Sequence, residues 1–166
     1  MPTDSLTMPL PTLNTLSFDA ELVCRLSIQP ISAAQQHDTR LALRLLGAAE
    51  QTSEDPVLLR IEAKLDVCLA WLGHSTQQQH GDSRLCRLGL EQFAWRSQAD
   101  EPSGAATLTF YPDTHCPLPL TFPVHCQTQA DGHTIASLAP ALDEASADLW
   151  AHFVFRQHRR QRQQQA

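Results

Sequence analysis

The sequence holds no run of about 18 apolar residues, so no segment reads as a membrane-spanning helix. Residues 1–16 lack the basic start and apolar centre of a signal peptide. The five cysteines, Cys24, Cys68, Cys86, Cys116 and Cys126, are odd in number and include no CxxC pair. That argues against a disulfide framework and for a reducing, cytoplasmic setting. A net charge of −6 argues against nucleic-acid binding by the domain as a whole. Glycine-rich phosphate loops, nucleophile elbows and Ser-His-Asp spacings are absent, and nothing in the sequence points to an enzyme.

What is present is a chain of 166 residues, 42% hydrophobic, long enough for one domain with its own core and an appended helical element. Its charge is uneven. Residues 150–166 contribute +4 through Arg156, Arg159, Arg160 and Arg162, so the remainder carries −10. A basic end on an acidic body suits an anionic partner or the protein's own acidic surface.

Residues 1–16, with Pro2, Pro9 and Pro11, read as a flexible leader. Period-two alternation then begins at Phe18, Ala20, Leu22, Cys24, Leu26 and Ile28, and Pro30 ends this strand. Ser32 is placed to cap a helix whose apolar face is read as Leu41, Leu45 and Ala48. Pro56 opens a second helix, capped by Asp55 or Ser53 and expected to stop at Gly73. In it Leu58, Ile61, Leu65, Cys68 and Leu72 recur at alternating spacings of three and four, the a/d seam of a heptad. Leu59, Leu69 and Trp71 lie off that seam, so the helix is apolar on two sides, as if touching both its own core and another subunit.

After a polar linker at 74–83, period two returns. Leu85 to Leu90 reads as a strand, continued by Phe93 and Trp95 past a bulge or tight turn at Glu91-Gln92. Residues 98–105 read as a hairpin loop and 107–111 as a strand. Leu118 to Cys126 alternates with prolines on its other face, which suggests an edge-like strand. Asp131-Gly132 marks a hairpin and His133–Leu138 the returning strand. Asp143 caps a last helix with Leu149, Trp150, Phe153 and Val154 on its apolar face, fraying after His158.

Three constellations have a chemical reading beside a structural one. His115-Cys116 and His125-Cys126 flank a strand and could in principle converge on zinc. Neighbours in a strand point to opposite faces, however, so packing is the better reading and no metal is assigned. Glu62 and Asp66 sit at i, i+4 like an acid/base pair, but beside Arg60 and Lys64 they read as a charged helix face. The arginines at 156–162 offer a nucleic-acid or acidic-surface contact, or a solubilising helix end. Trp71, Trp95 and Trp150 read as core or interface anchors.

Three stretches, Ile61-Glu62-Ala63-Lys64-Leu65-Asp66, Leu88–Trp95 and Phe155-Arg156-Gln157-His158-Arg159-Arg160, taken with the order of elements, resemble the atypical PilZ domains, in particular the tetrameric PilZ group of xanthomonads. The resemblance covers residues 17–162 and implies an α+β, mainly β, fold. This is a six-stranded antiparallel β-barrel with a C-terminal helix and added heptad-bearing helices. The expected organisation is a leader at 1–16, a PilZ-like domain at 17–162 with a helical oligomerisation insertion at about 32–73, and a disordered tail at 163–166. The family implies non-catalytic regulation in cyclic di-GMP signalling of motility, pili, polysaccharide or virulence. The expected partners are copies of the chain itself, in a tetramer, and a regulatory protein.

PilZ domains of the usual kind grip the dinucleotide through an RxxxR segment and a (D/N)xSxxG strand motif. The resemblance places Arg87, Gly89 and Gln92 at the three signature positions of the second motif, where all differ from it. The available RxxxR is Arg40 to Arg44, inside the first helix and distant from the barrel in sequence. Loss of two charge-assisted contacts, at roughly 1.5–3 kcal/mol each, lowers affinity by orders of magnitude. No cofactor is therefore expected. A receptor that keeps cyclic di-GMP through Arg40, Arg44 or the basic end is the alternative.

Overall fold

The computed structural model describes residues 9–48, 55–77, 83–113 and 116–164. The elements follow in the order β1 (Ser17–Ser27), α1 (Ala33–Ala48), α2 (Pro56–Gln77), β2 (Ser83–Gly89), β3 (Gln92–Arg96), β4 (Gly104–Phe110), β5 (Leu120–Thr128), β6 (His133–Leu138) and α3 (Glu144–Gln164). The strands close into an antiparallel barrel in the order β1-β2-β3-β6-β5-β4.

Alternation is what builds this barrel. Phe18, Leu22 and Cys24 on β1, Cys86 and Leu88 on β2, and Leu120, Phe122, Val124 and Cys126 on β5 all turn into the core. Phe93, Phe110, Phe122 and Trp150 pack ring on ring, with the Phe122 and Trp150 centroids 5.4 Å apart at 73°. Trp150 comes from α3, which plugs one end of the barrel. Its indole Nε1 donates to the Gly89 carbonyl at 3.2 Å, so the polar edge of a buried ring is satisfied.

The other ends of β2 and β3 meet at a buried carboxylate. Glu101 accepts from Arg84 Nη1 at 2.5 Å, from Trp95 Nε1 at 2.9 Å and from Thr134 Oγ1 at 2.9 Å. A cation and two neutral donors thus satisfy this enclosed carboxylate.

The helix starts are as the caps require. Ser32 and Gln35 exchange side chain-to-backbone bonds of 3.2 and 2.9 Å in a capping box. Asp55 accepts from Val57 N at 2.8 Å, and Asp143 from Ser146 N at 3.1 Å and Ser146 Oγ at 2.8 Å. Gly132, at φ 81°, makes the β5–β6 turn.

Several expectations are corrected. Helix α1 buries Thr39, Ala42, Leu43 and Leu46 against β5 and α3, and leaves Leu41 and Leu45 outside. Both stripes are apolar, and the approach of α3 chose between them: a Cβ added at Gly47 would lie 3.1 Å from Leu149 Cδ2. Helix α2 runs past Gly73 to Gln77, because one interior glycine costs a helix only about 1 kcal/mol. Strands β3 and β4 are not hairpin partners; β3 pairs with β6 and β4 with β1 and β5. Strand β5 is flanked on both sides, and Pro123, opposite Thr107 in the register, still takes part in the ladder through its carbonyl, which accepts from Ala139 N at 3.0 Å. Helix α3 continues through Gln164 instead of fraying after His158.

Candidate functional site

Two surfaces carry functional information: the free-standing helix α2, and the face of β2 and β3 around the signature positions.

Among the described residues α2 makes no extended packing contact with the barrel, α1 or α3. Its seam is open: Leu58 is 48% exposed, Ile61 47%, Leu65 56% and Leu72 45%, with Cys68 exposed as well. Off the seam, Leu59, Val67 and Trp71 are open too, Val67 at 69% and Trp71 at 71%, whereas Leu69 is half-buried. The expectation that one face would touch its own core is corrected: α2 makes no extended contact with it, and Leu69, Ala70 and Gly73 near the helix end are its sheltered apolar positions. Glu62 is half-buried, whereas Asp66, Arg60 and Lys64 are exposed on the same helix.

On β2, Arg87 is engaged through four of its five N–H donors. It lies opposite Asp19 of β1 in the sheet register and forks onto its carboxylate, Nε to Oδ1 at 2.6 Å and Nη2 to Oδ2 at 2.8 Å. This bond pushes the already basic guanidinium further up, so it stays charged. Nη1 donates to the carbonyls of Leu10 and Pro11, both at 2.9 Å. Residues 9–16 of the expected leader therefore run across this face with Leu10 buried. Gly89 is roofed by the same segment: a Cβ there would lie 2.9 Å from the Gln92 carbonyl and 3.0 Å from both Leu13 Cδ1 and Thr15 Oγ1. Gln92 opens β3 opposite Ser137. The role of Asp19 was missed from sequence; the β1 alternation points it outward, but the pairing register comes only from the barrel.

Two grooves flank this face. One, of about 690 Å³, runs between β1 and the end of α3 and is lined by Asp19, Glu21, Asp113 and Arg160 among others. The second, of about 470 Å³, lies between the β2–β3 turn and α3, with Glu91 and Asp148 its only charged lining residues. Arg40 and Arg44 are exposed on α1 and line neither groove. Of the basic end, Arg156 bonds the Leu46 carbonyl at the end of α1, while Arg159, Arg160 and Arg162 are exposed. His158 Nδ1 meets the Ser17 carbonyl at 2.6 Å and Gln161 accepts from Asp19 N at 3.1 Å, tying α3 to β1.

The cysteines are free. Cys24 and Cys86 form a buried thiol pair, Sγ to Sγ 3.9 Å, and burial and this contact push Cys86 up. Burial also pushes Cys126 up to about 11. Cys116 and Cys126 are buried and His125 is exposed; His115 lies outside the described residues. Trp95 and Trp150 are in the core, and Trp71 is on the surface.

The family model "Atypical PilZ domain, cyclic di-GMP receptor" matches residues 33–165. No curated protein matches the chain. Among solved structures it is similar to a pathogenic protein from Xanthomonas campestris, described as a new tetrameric PilZ domain self-assembled via an unusual helical bundle. The two are 25% identical, with 90% of this chain and 89% of that one covered and a TM-score of 0.68. With most of its length matched and the closed barrel in place, the chain belongs to the atypical PilZ domain family.

Proposed function

We propose that this chain is a non-catalytic PilZ regulatory adaptor that self-assembles through α2, acts by protein contacts, and has a degenerate cyclic di-GMP motif. The observation that carries the reading is the exposed apolar surface of α2, on its seam and at Val67 and Trp71. A helix apolar on two sides is stabilised when both are covered. A two-helix seam over Leu58, Ile61, Leu65, Cys68 and Leu72 would leave Val67 and Trp71 in water, which favours a bundle of more than two helices. The tetrameric helical bundle of the Xanthomonas relative supports the same reading.

Degeneracy of the motif is supported by chemistry at the three signature positions. Four of the five donors of Arg87 are spent on Asp19, Leu10 and Pro11, Gly89 is roofed, and the neighbouring groove is rimmed by carboxylates. A dianionic dinucleotide would have to displace the segment 9–16 and then face Glu91. The test is the mass of the assembly by light scattering over a range of concentrations, with and without cyclic di-GMP. A single subunit throughout rejects the proposal.

The family description favours a second reading, a true cyclic di-GMP receptor that uses non-standard residues such as Arg40 and Arg44. Titration calorimetry separates the two: heat that disappears in Arg40→Ala/Arg44→Ala establishes the receptor, and no heat removes it.

A further inference from the structure

We propose that the groove between the β2–β3 turn and α3 is a docking site for a partner-protein segment that combines arginine or lysine with large apolar side chains. This rests on the adaptor reading, since it names the surface through which the adaptor would act, but it uses no residue of α2.

The groove is floored by Trp150 and walled by Leu90, Leu138 and Leu142, with Glu91 and Asp148 on its rim. Its volume, about 470 Å³, falls in the range of ligand clefts. Both rim carboxylates are exposed, and neither is ion-paired among the described residues. No cation lines the groove. A trough with apolar walls, the neutral Gln92 and Ser137 in its lining and two uncompensated carboxylates at its mouth is complementary to a side chain with an apolar body beside a positive head, and repels phosphate. The −10 carried outside residues 150–166 adds a long-range field of the same sign. The walls are held firmly. Leu138 N donates to the Glu91 carbonyl at 2.9 Å and Trp150 is locked to Gly89, so the groove exists before anything enters it.

The probe is a short fluorescent peptide alternating arginine with leucine, read by anisotropy on the full chain, beside a counterpart with glutamate for arginine. The arginine peptide binds, and its affinity falls as salt is raised. Glu91→Gln/Asp148→Asn weakens it roughly 5–20-fold, as expected for two rim charges. Ala141→Arg, at an exposed lining residue, weakens it at least as much without touching the core. Binding that both variants leave unchanged overturns the proposal, as does equal binding of the glutamate peptide or competition by cyclic di-GMP at this groove. Binding that appears only after Arg159, Arg160 and Arg162 are changed to Gln identifies a second copy's basic end as the occupant and overturns a separate partner. Assembly mass is insensitive to the groove variants, so failure here is distinct from failure of self-assembly through α2.

Discussion

Replacing Leu65 and Cys68 with glutamate should dissociate the assembly while leaving the barrel folded. Complete burial of a leucine-class side chain stabilises by roughly 1.5–3 kcal/mol. Leu58, Ile61, Leu65 and Leu72 each keep about half of their surface in water in the single chain. Covering that remainder therefore contributes about 1 kcal/mol apiece, ~4 kcal/mol per helix. A glutamate at 65 removes one such share and adds an unpaired carboxylate to be desolvated, at a cost of several kcal/mol. With a second glutamate at 68, the penalty is ~5 kcal/mol or more per helix, more than a thousandfold in the association constant. Because α2 does not pack on the barrel, the near-ultraviolet circular dichroism of the buried Trp95 and Trp150 should stay close to the parent's, while the far-ultraviolet helix signal falls as the unsupported α2 melts. Light scattering gives the mass, and Trp71, 71% exposed in the single chain, gives a second signal. Its emission should be blue-shifted in the assembled parent and red-shifted in the variant. Asp66→Lys, at an exposed position that is already charged, is the charge control. An assembly whose mass is unchanged by the double substitution refutes the argument.

Arg87→Ala leaves Asp19 without its partner and frees the Leu10 and Pro11 carbonyls. It should cost about 2–3 kcal/mol and expose residues 9–16 to protease, measured by denaturant melts and timed digestion. Gly89→Ala drives a Cβ to 2.9 Å from the Gln92 carbonyl, a backbone atom in a tight turn that cannot swing away, and should cost about 1–3 kcal/mol; an unchanged melt contradicts this geometry. Asp143 is held below the usual carboxylate range by its bonds to Ser146, so its contribution is present above the ordinary pKa and is lost as pH falls through the lowered one. Acid titration below about pH 4 should loosen the start of α3, and Asp143→Asn should flatten that part of the curve. In native thiol labelling of the α2 double variant with Cys68 restored, Cys68 should react quickly. Cys126, raised to about 11, and buried Cys86 should lag until the chain unfolds.

Most of the fold was legible because it is written in short-range pattern. Most of the period-two runs at 18–28, 85–95 and 118–126 form the inward faces of β1, β2–β3 and β5, the exceptions being Ile28, exposed past the end of β1, and Leu85, exposed on β2, and the capping residues Ser32, Asp55 and Asp143 start the three helices. The heptad in α2 was legible for the same reason, since its spacing is a property of the helix alone. Strand pairing was not. The hairpin expected at 98–105 and the edge expected at β5 were local guesses about a closure that depends on all six strands at once.

The sequence by itself determined where strands and helices form, which strand residues point inward, and that α2 carries more apolar surface than one face can hide. Only the tertiary structure decided which of two apolar stripes on α1 faces the core, because that choice belongs to α3 and β5. The same holds for Arg87. Nothing near it in the chain announces Asp19 or the carbonyls of Leu10 and Pro11, and closure of the barrel brings them within hydrogen-bonding distance. Local pattern follows from the geometry of a single element, whereas partners distant along the chain are set by how the elements pack together.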